Sequence, residues 1–293
     1  MTDTRIGFIG LGAMGRPMAK RLVSQQYRVT GFDLNPQALA ELEALGGHSA
    51  ASSREAADKA DFLVLMVVNA EQAEAILFVD DALAALKADA SVILMATCAP
   101  SRVQAMAARV VATGRHFIDA PVSGGVVGAE AGALTIMAAA ALPVYERARP
   151  ILATMGSRLF HVGEEAGQGA TVKTVNQLLC GVHIAVAAEA FTLAEKAGVD
   201  TALMLDILTQ SAAGSWMLSN RGPRMLEAEP DVTSAVDIFV KDLGIVADAG
   251  RAARTALPIA AAAHQMFLAA SGAGHGKADD SQVIRAYRAL NGI

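Results

Sequence analysis

The sequence predicts an α/β protein in two parts: an N-terminal doubly wound, largely parallel sheet over residues 1–165, and an all-helical C-terminal domain over residues 166–293. A long helix at about 167–197 joins them. Three observations carry this prediction. Short apolar, β-rich runs alternate with Ala-, Glu- and Leu-rich stretches through the first half, the pattern of strands linked by crossover helices. A G-x-G-x-x-G array directly follows the first run. From Gly167 onward the strand pattern stops and helical periodicity continues nearly to the C-terminus.

The predicted strands are Ile6–Ile9, Val29–Phe32, Phe62–Met66, Val92–Met95, Phe117–Ile118, Leu134–Met137 and Leu159–Val162. After the first, the loop Gly10-Leu11-Gly12-Ala13-Met14-Gly15 leads into Pro17-Met-Ala-Lys-Arg-Leu. In that array Gly10 permits a tight turn, Gly12 lets the backbone approach a pyrophosphate, and Gly15 lets the helix pack on the strand. The helix N-terminus then offers unpaired N–H groups to the phosphates. This is the Rossmann fingerprint, and the second strand ends in Asp33, eighteen residues after Gly15. An acid there accepts hydrogen bonds from ribose hydroxyls and repels a 2′-phosphate, and no Arg follows it, which favours NAD over NADP.

In the second half, Gly167-Gln-Gly169 starts a helix in which Val172, Val175, Leu179, Val182 and Val186 keep a helical apolar period, until Gly198 ends it. At 1.5 Å per residue that helix is roughly 45 Å long, so part of its surface is expected to be covered by another subunit. A homodimer or homotetramer is the expected assembly.

The chain of 293 residues carries a net charge of −5 and no basic run, which argues against nucleic acid or an anionic membrane as partner. Mean hydropathy is +0.38, yet the longest uncharged window, Thr255–Gly276, is broken by Pro258, His264, Gln265 and several Gly and is otherwise mostly Ala. It reads as a buried or subunit-facing helix rather than a span. A strand pattern begins almost at the N-terminus, leaving no room for a signal peptide, and Cys98 and Cys180 have no metal or redox spacing. The expectation is a soluble, cytoplasmic protein without a metal.

Three segments carry candidate chemistry. Asp119-Ala-Pro-Val-Ser-Gly-Gly125 reads as a turn in which Ser123 offers a hydroxyl and Gly124 and Gly125 offer unobstructed N–H groups, a cradle for a carboxylate or a plain Pro-Gly connector. Lys173, Asn176 and Gln177 share one helix face. Partial burial near a helix N-terminus favours the neutral amine, as a proton acceptor requires; a snorkelling Lys beside two amides is the plainer reading. Lys241-Asp242 reads as a solvated surface pair. Trp216, in Gly214-Ser-Trp-Met217, is either core or a pocket wall. His48, His116, His161, His264 and His275 have no carboxylate or His at ligand spacing, His183 lies about 15 Å along the helix from Lys173, too far to share one small substrate, and Cys98 has nothing nearby to activate it as a nucleophile.

Taken together, Gly-Leu-Gly-Ala-Met-Gly, the Asp119–Gly125 segment, Gly167-Gln-Gly with Lys173 and Asn176, and Lys241-Asp-Leu resemble the β-hydroxyacid dehydrogenases over nearly the whole chain. That family includes 3-hydroxyisobutyrate dehydrogenase and tartronate semialdehyde reductase. The resemblance implies a catalytic Lys173, substrate contacts from Ser123, Gly124 and Asn176, and contacts to the nicotinamide half of the cofactor from Asn69, Thr97 and Lys241. Gln177 stands where many members have a second Asn. Gly214–Met217 and Ser234–Leu243 look most like the branch that oxidises a four-carbon sugar acid with NAD. 3-Hydroxyisobutyrate and tartronate semialdehyde are the alternative substrates, and a non-catalytic dinucleotide sensor on the same fold is the alternative of another class.

Overall fold

A computed structural model describes residues 3–293. The chain divides into two compact units, 1–173 and 174–293.

The described part of the first unit forms nine strands: β1 (Arg5–Ile9), β2 (Arg28–Phe32), β3 (His48–Ser49), β4 (Phe62–Leu65), β5 (Ser91–Leu94), β6 (His116–Asp119), β7 (Val122–Ser123), β8 (Thr135–Ala139) and β9 (Arg158–Gly163). The first six are parallel in the order β3-β2-β1-β4-β5-β6. All their carboxyl ends therefore lie along one edge, where ligands bind in open α/β sheets. Successive residues serve opposite faces. Ile93 packs into one apolar layer and its neighbours Val92 and Leu94 into the other, and Val64 is likewise flanked by Leu63 and Leu65. These strands are buried on both sides, which is why their sequences are continuous apolar runs.

The seven expected strands are present, and β3 and β7 are additional. The Asp119–Gly125 segment was expected to be a turn; its first half is strand. Asp119 pairs with Ala139, Val122 with Ile136 and Ser123 with Thr135, all antiparallel and in one register, and Met137 N donates to Pro121 O between them at 3.0 Å. The segment is one extended run interrupted at Pro121, which has no N–H to give. The chain turns only at Gly124 and Gly125, with φ of +128° and +63°.

The second unit is helical. Its core joins Ile184, Ala188 and Phe191 of the helix Gln168–Lys196 to residues of the helices Trp216–Met225, Val236–Ala252 and Pro258–Ala270. Phe239 and Phe267 stack there with ring centroids 5.2 Å apart. The division between the units falls inside the Gln168–Lys196 helix rather than before it. Its first turn lies against the strand backbone: a Cβ on Gly169 would sit 2.6 Å from Met137 O and 2.7 Å from Asp119 O.

The apolar period read along this helix does not mark its buried side. Val175, Leu179 and Val186 are half or more exposed, and Leu193 continues the stripe at 71%. Among the described residues this is the one helix long and apolar enough to cross a membrane by length and composition. Half of that window is buried within the fold.

Candidate active site

In the first unit the glycine loop has the shape a dinucleotide requires. Gly10 takes φ +94°, and a Cβ there would lie 2.3 Å from Met66 O; a Cβ on Gly15 would lie 1.8 Å from Gly10 O. Gly12 differs, because a Cβ on it would meet nothing within 4 Å. Two glycines thus hold the loop against β4 and the helix Gly15–Ser24, and the third faces open space on the side a pyrophosphate would take. The first turn of that helix carries no acid that would oppose an anion.

Asp33 follows β2 and is brought directly to this loop. Leu11 N donates to Asp33 Oδ2 at 2.7 Å, and Asn35 N donates to Oδ1 at 2.8 Å. A carboxylate has about four acceptor sites, so both oxygens retain lone pairs for ribose hydroxyls. These residues fit a nicotinamide dinucleotide. Ala13 and Met14 complete the loop, with Ala13 exposed.

Further along the same sheet edge, Asn69 follows β4 and Thr97 follows β5. Asn69 caps the helix Ala70–Glu74 by accepting from Gln72 N at 2.9 Å, so its side chain already has a structural task. Ser123 ends β7, and Gly124 and Gly125 open the helix Gly125–Ala131. Lys173 is buried, at 7% exposed. It lies one turn beyond Ala170, whose N–H is held by Asp119.

In the second unit the two amides join a polar chain. Asn176 Nδ2 donates to Gln177 Oε1 at 2.9 Å, and Gln177 Nε2 donates to Asp242 Oδ2 at 2.5 Å. Lys241 Nζ stands 2.8 Å from Asp242 Oδ1, an ion pair not aligned as a hydrogen bond. The expectation of a solvated Lys241-Asp242 pair is corrected here, since Asp242 is 2% exposed. Its burial comes from helix packing, which a Lys-Asp dipeptide does not display. Trp216 opens the helix Trp216–Met225, whose N-cap is Ser215, and at 57% exposed it is not a core residue.

Two functional candidates were missed in the sequence. Asp119 was read only as the start of a turn, although an acid at the end of an apolar strand, ahead of an Ala-Pro pair, was a usable signal. Asp242 gave none, because acids beside lysines are usually solvated.

Comparison with known proteins agrees with this geometry. Residues 5–163 match the NAD binding domain of 6-phosphogluconate dehydrogenase, and residues 167–287 match the NAD-binding domain of NADP-dependent 3-hydroxyisobutyrate dehydrogenase. The chain belongs to the 3-hydroxyisobutyrate dehydrogenase family. Among relatives, an L-threonate dehydrogenase of Cupriavidus necator is 44% identical over 96% of this chain and 95% of its own. A 3-hydroxyisobutyrate dehydrogenase of Pseudomonas aeruginosa is 34% identical over 98% and 99%. The crystal structure of a 3-hydroxyisobutyrate dehydrogenase from Salmonella typhimurium superposes with a TM-score of 0.92 at 43% identity, covering 97% of this chain and 99% of that one. As a member of the 3-hydroxyisobutyrate dehydrogenase family the protein is an NAD(P)-dependent hydroxyacid dehydrogenase, with an N-terminal Rossmann domain and a helical C-terminal domain. The sensor alternative is set aside.

Proposed function

We propose that the protein oxidises L-threonate, a four-carbon sugar acid, to its 2-oxo acid with NAD, Lys173 taking the hydroxyl proton. The observation that carries the chemistry is Lys173, a lysine only 7% exposed, on a helix that also presents Asn176. The substrate assignment is supported by relatives named L-threonate dehydrogenase at 40–44% identity over nearly the full chain. Asp33 supports NAD, since its carboxylate would face a 2′-phosphate with like charge.

In this reading the substrate carboxylate is held by the Ser123 hydroxyl and the Gly124 and Gly125 amides. Asn176 orients the substrate or the lysine, Gln177 supports Asn176 from the adjoining position, and Trp216 walls the pocket. Asn69, Thr97 and Lys241 contact the cofactor. When bound, the nicotinamide accepts the hydride that leaves the carbinol carbon. Lys173 accepts the proton from the same carbon's hydroxyl, so that a carbonyl forms with charge balanced.

A second copy of the chain covers the stripe Val175, Leu179, Val186 and Leu193, giving a homodimer or homotetramer. A cytoplasmic setting fits two cysteines that form no disulfide among the described residues.

The test is NADH formation from NAD with L-threonate, D-erythronate, D-glycerate and 3-hydroxyisobutyrate, and with NADP in parallel. Selective turnover of L-threonate with NAD is expected. Lys173→Ala should lower turnover about 10²- to 10⁴-fold, the usual worth of a positioned base. Selective turnover of 3-hydroxyisobutyrate instead would reassign the substrate, and near-normal turnover by Lys173→Ala would remove the lysine from its role.

A further inference from the structure

The first donors of the helix Gln168–Lys196 have no acceptor within the helix, as at any helix start. Gly167, with φ +94°, precedes it and has no side chain to cap them. The acceptor comes from 48 residues upstream: Asp119 Oδ2 takes N–H groups from both Gly167 and Ala170 at 2.9 Å each. Gly169 N–H also acts on this carboxylate.

Asp119 is itself held firmly. It is 1% exposed, pairs with Leu94 on β5 and Ala139 on β8, and is followed by Ala120 N donating to Leu94 O at 2.8 Å. It sits where the chain passes from parallel to antiparallel pairing. The close approach of Gly169 to Asp119 O and Met137 O leaves the helix start no freedom to slide along the strands. Ala170 and Lys173 are three residues apart, hence neighbours on one face. The direction in which Lys173 leaves the helix is therefore set by the turn that Asp119 grips.

We propose that Asp119 is the positioning residue for Lys173: its carboxylate clamps the first helical turn to the sheet edge and so fixes where the lysine amine is presented. This rests on the reading of Lys173 as proton acceptor. Burial pushes the Asp119 carboxyl up to about 6, so the fold disfavours the charge, and the clamp rests on the position of the acceptor oxygen, which a neutral group of the same shape would keep.

The experiment compares Asp119→Asn, Asp119→Ser, Asp119→Ala and Lys173→Ala in the full chain, with NAD and whichever acid of the panel gives the highest turnover. Asp119→Asn keeps an oxygen that can accept both N–H groups, so its kcat should stay within about fivefold of the parent. Asp119→Ser and Asp119→Ala lose that reach, and their kcat should fall about 10²-fold, the effect of displacing a catalytic group by about 1 Å. KM for NAD should change less than about threefold, because the glycine loop is untouched. Amide hydrogen exchange at Gly167 and Ala170 should quicken in Asp119→Ser and not in Asp119→Asn. If Asp119→Ala fails to fold, the serine and asparagine variants decide. Full kcat in Asp119→Ser, or equal losses in Asn and Ser, would overturn the proposal while an inactive Lys173→Ala left the lysine's role standing. An active Lys173→Ala would overturn both.

Discussion

Leu11 N donates to Asp33 Oδ2 over 2.7 Å, tying the glycine loop after β1 to the carboxylate after β2. One acid thereby shapes the loop, and its remaining lone pairs are the ones the proposed ribose contact would use. Asp33→Ala should raise KM for NAD by at least about tenfold, the order expected for losing charge-assisted hydrogen bonds. KM for NADP should rise less, because the same change removes a repulsive charge. Initial rates with both cofactors check this, and an equal rise for the two would show that only loop shape was lost.

The three loop glycines should separate folding from binding. Gly15→Ala places a Cβ 1.8 Å from a backbone oxygen, whereas Gly12→Ala meets nothing in the protein. Gly15→Ala should therefore lower Tm by several degrees or fail to fold, in line with a strained or overpacked site costing about 1–3 kcal/mol. Gly12→Ala should keep Tm without cofactor and lose most of the Tm rise that saturating NAD gives the parent. Thermal scans with and without NAD distinguish the two.

Asp119 also predicts a pH dependence. Burial raises its folded pKa to about 6 against an ordinary 3.8, despite three backbone donors that favour the charge. Between those values the unfolded chain releases the proton and the folded chain keeps it, so stability falls as pH rises from about 4 through about 6. Below this window the contribution is fully present; above it the loss is constant. A shift of this size corresponds to at most about 3 kcal/mol. Asp119→Asn does not titrate, so the urea midpoint of the parent should fall relative to that of the variant across that window, and the difference should be flat from pH 7 to 8. A difference independent of pH would mean that the carboxyl titrates normally.

The parallel half of the sheet was legible because strands buried on both faces must be apolar throughout, as Phe62–Leu65 and Ser91–Leu94 nearly are. The glycine loop was legible because the positive φ and close approach at Gly10 and the close approach at Gly15 leave no other residue type. By contrast β7 has two residues beside a proline, too few to show a period. The stripe through Val175, Leu179 and Val186 revealed an apolar helix face, but periodicity does not say whether this chain or a partner covers it. Asp119 and Asp242 escaped notice for a common reason: their burial arises from segments distant in sequence, 48 residues away for Gly167 and 65 for Gln177.

That last pair gives a prediction in the second unit. Gln177 Nε2 reaches Asp242 Oδ2 at 2.5 Å, and Asp242 is 2% exposed beside Lys241. Gln177→Leu keeps the volume and removes the donor, leaving a buried carboxylate oxygen unsatisfied at a cost of about 1–3 kcal/mol. Tm should fall, and Asp242 should hold Lys241 less firmly, so that, if Lys241 contacts the cofactor as proposed, KM for NAD should rise together with the stability loss. Gln177→Asn is one methylene shorter and should lie nearer to Leu than to the parent, because the amide no longer spans the gap. Gln177→Leu combined with Asp242→Asn should recover stability, since an amide is far less costly to bury than an unpaired carboxylate. It should not recover KM for NAD, because Asp242→Asn removes the charged partner of Lys241. If the double variant restored both, Asp242 would be a packing residue and the chain from Asn176 to Lys241 would carry no information to the cofactor.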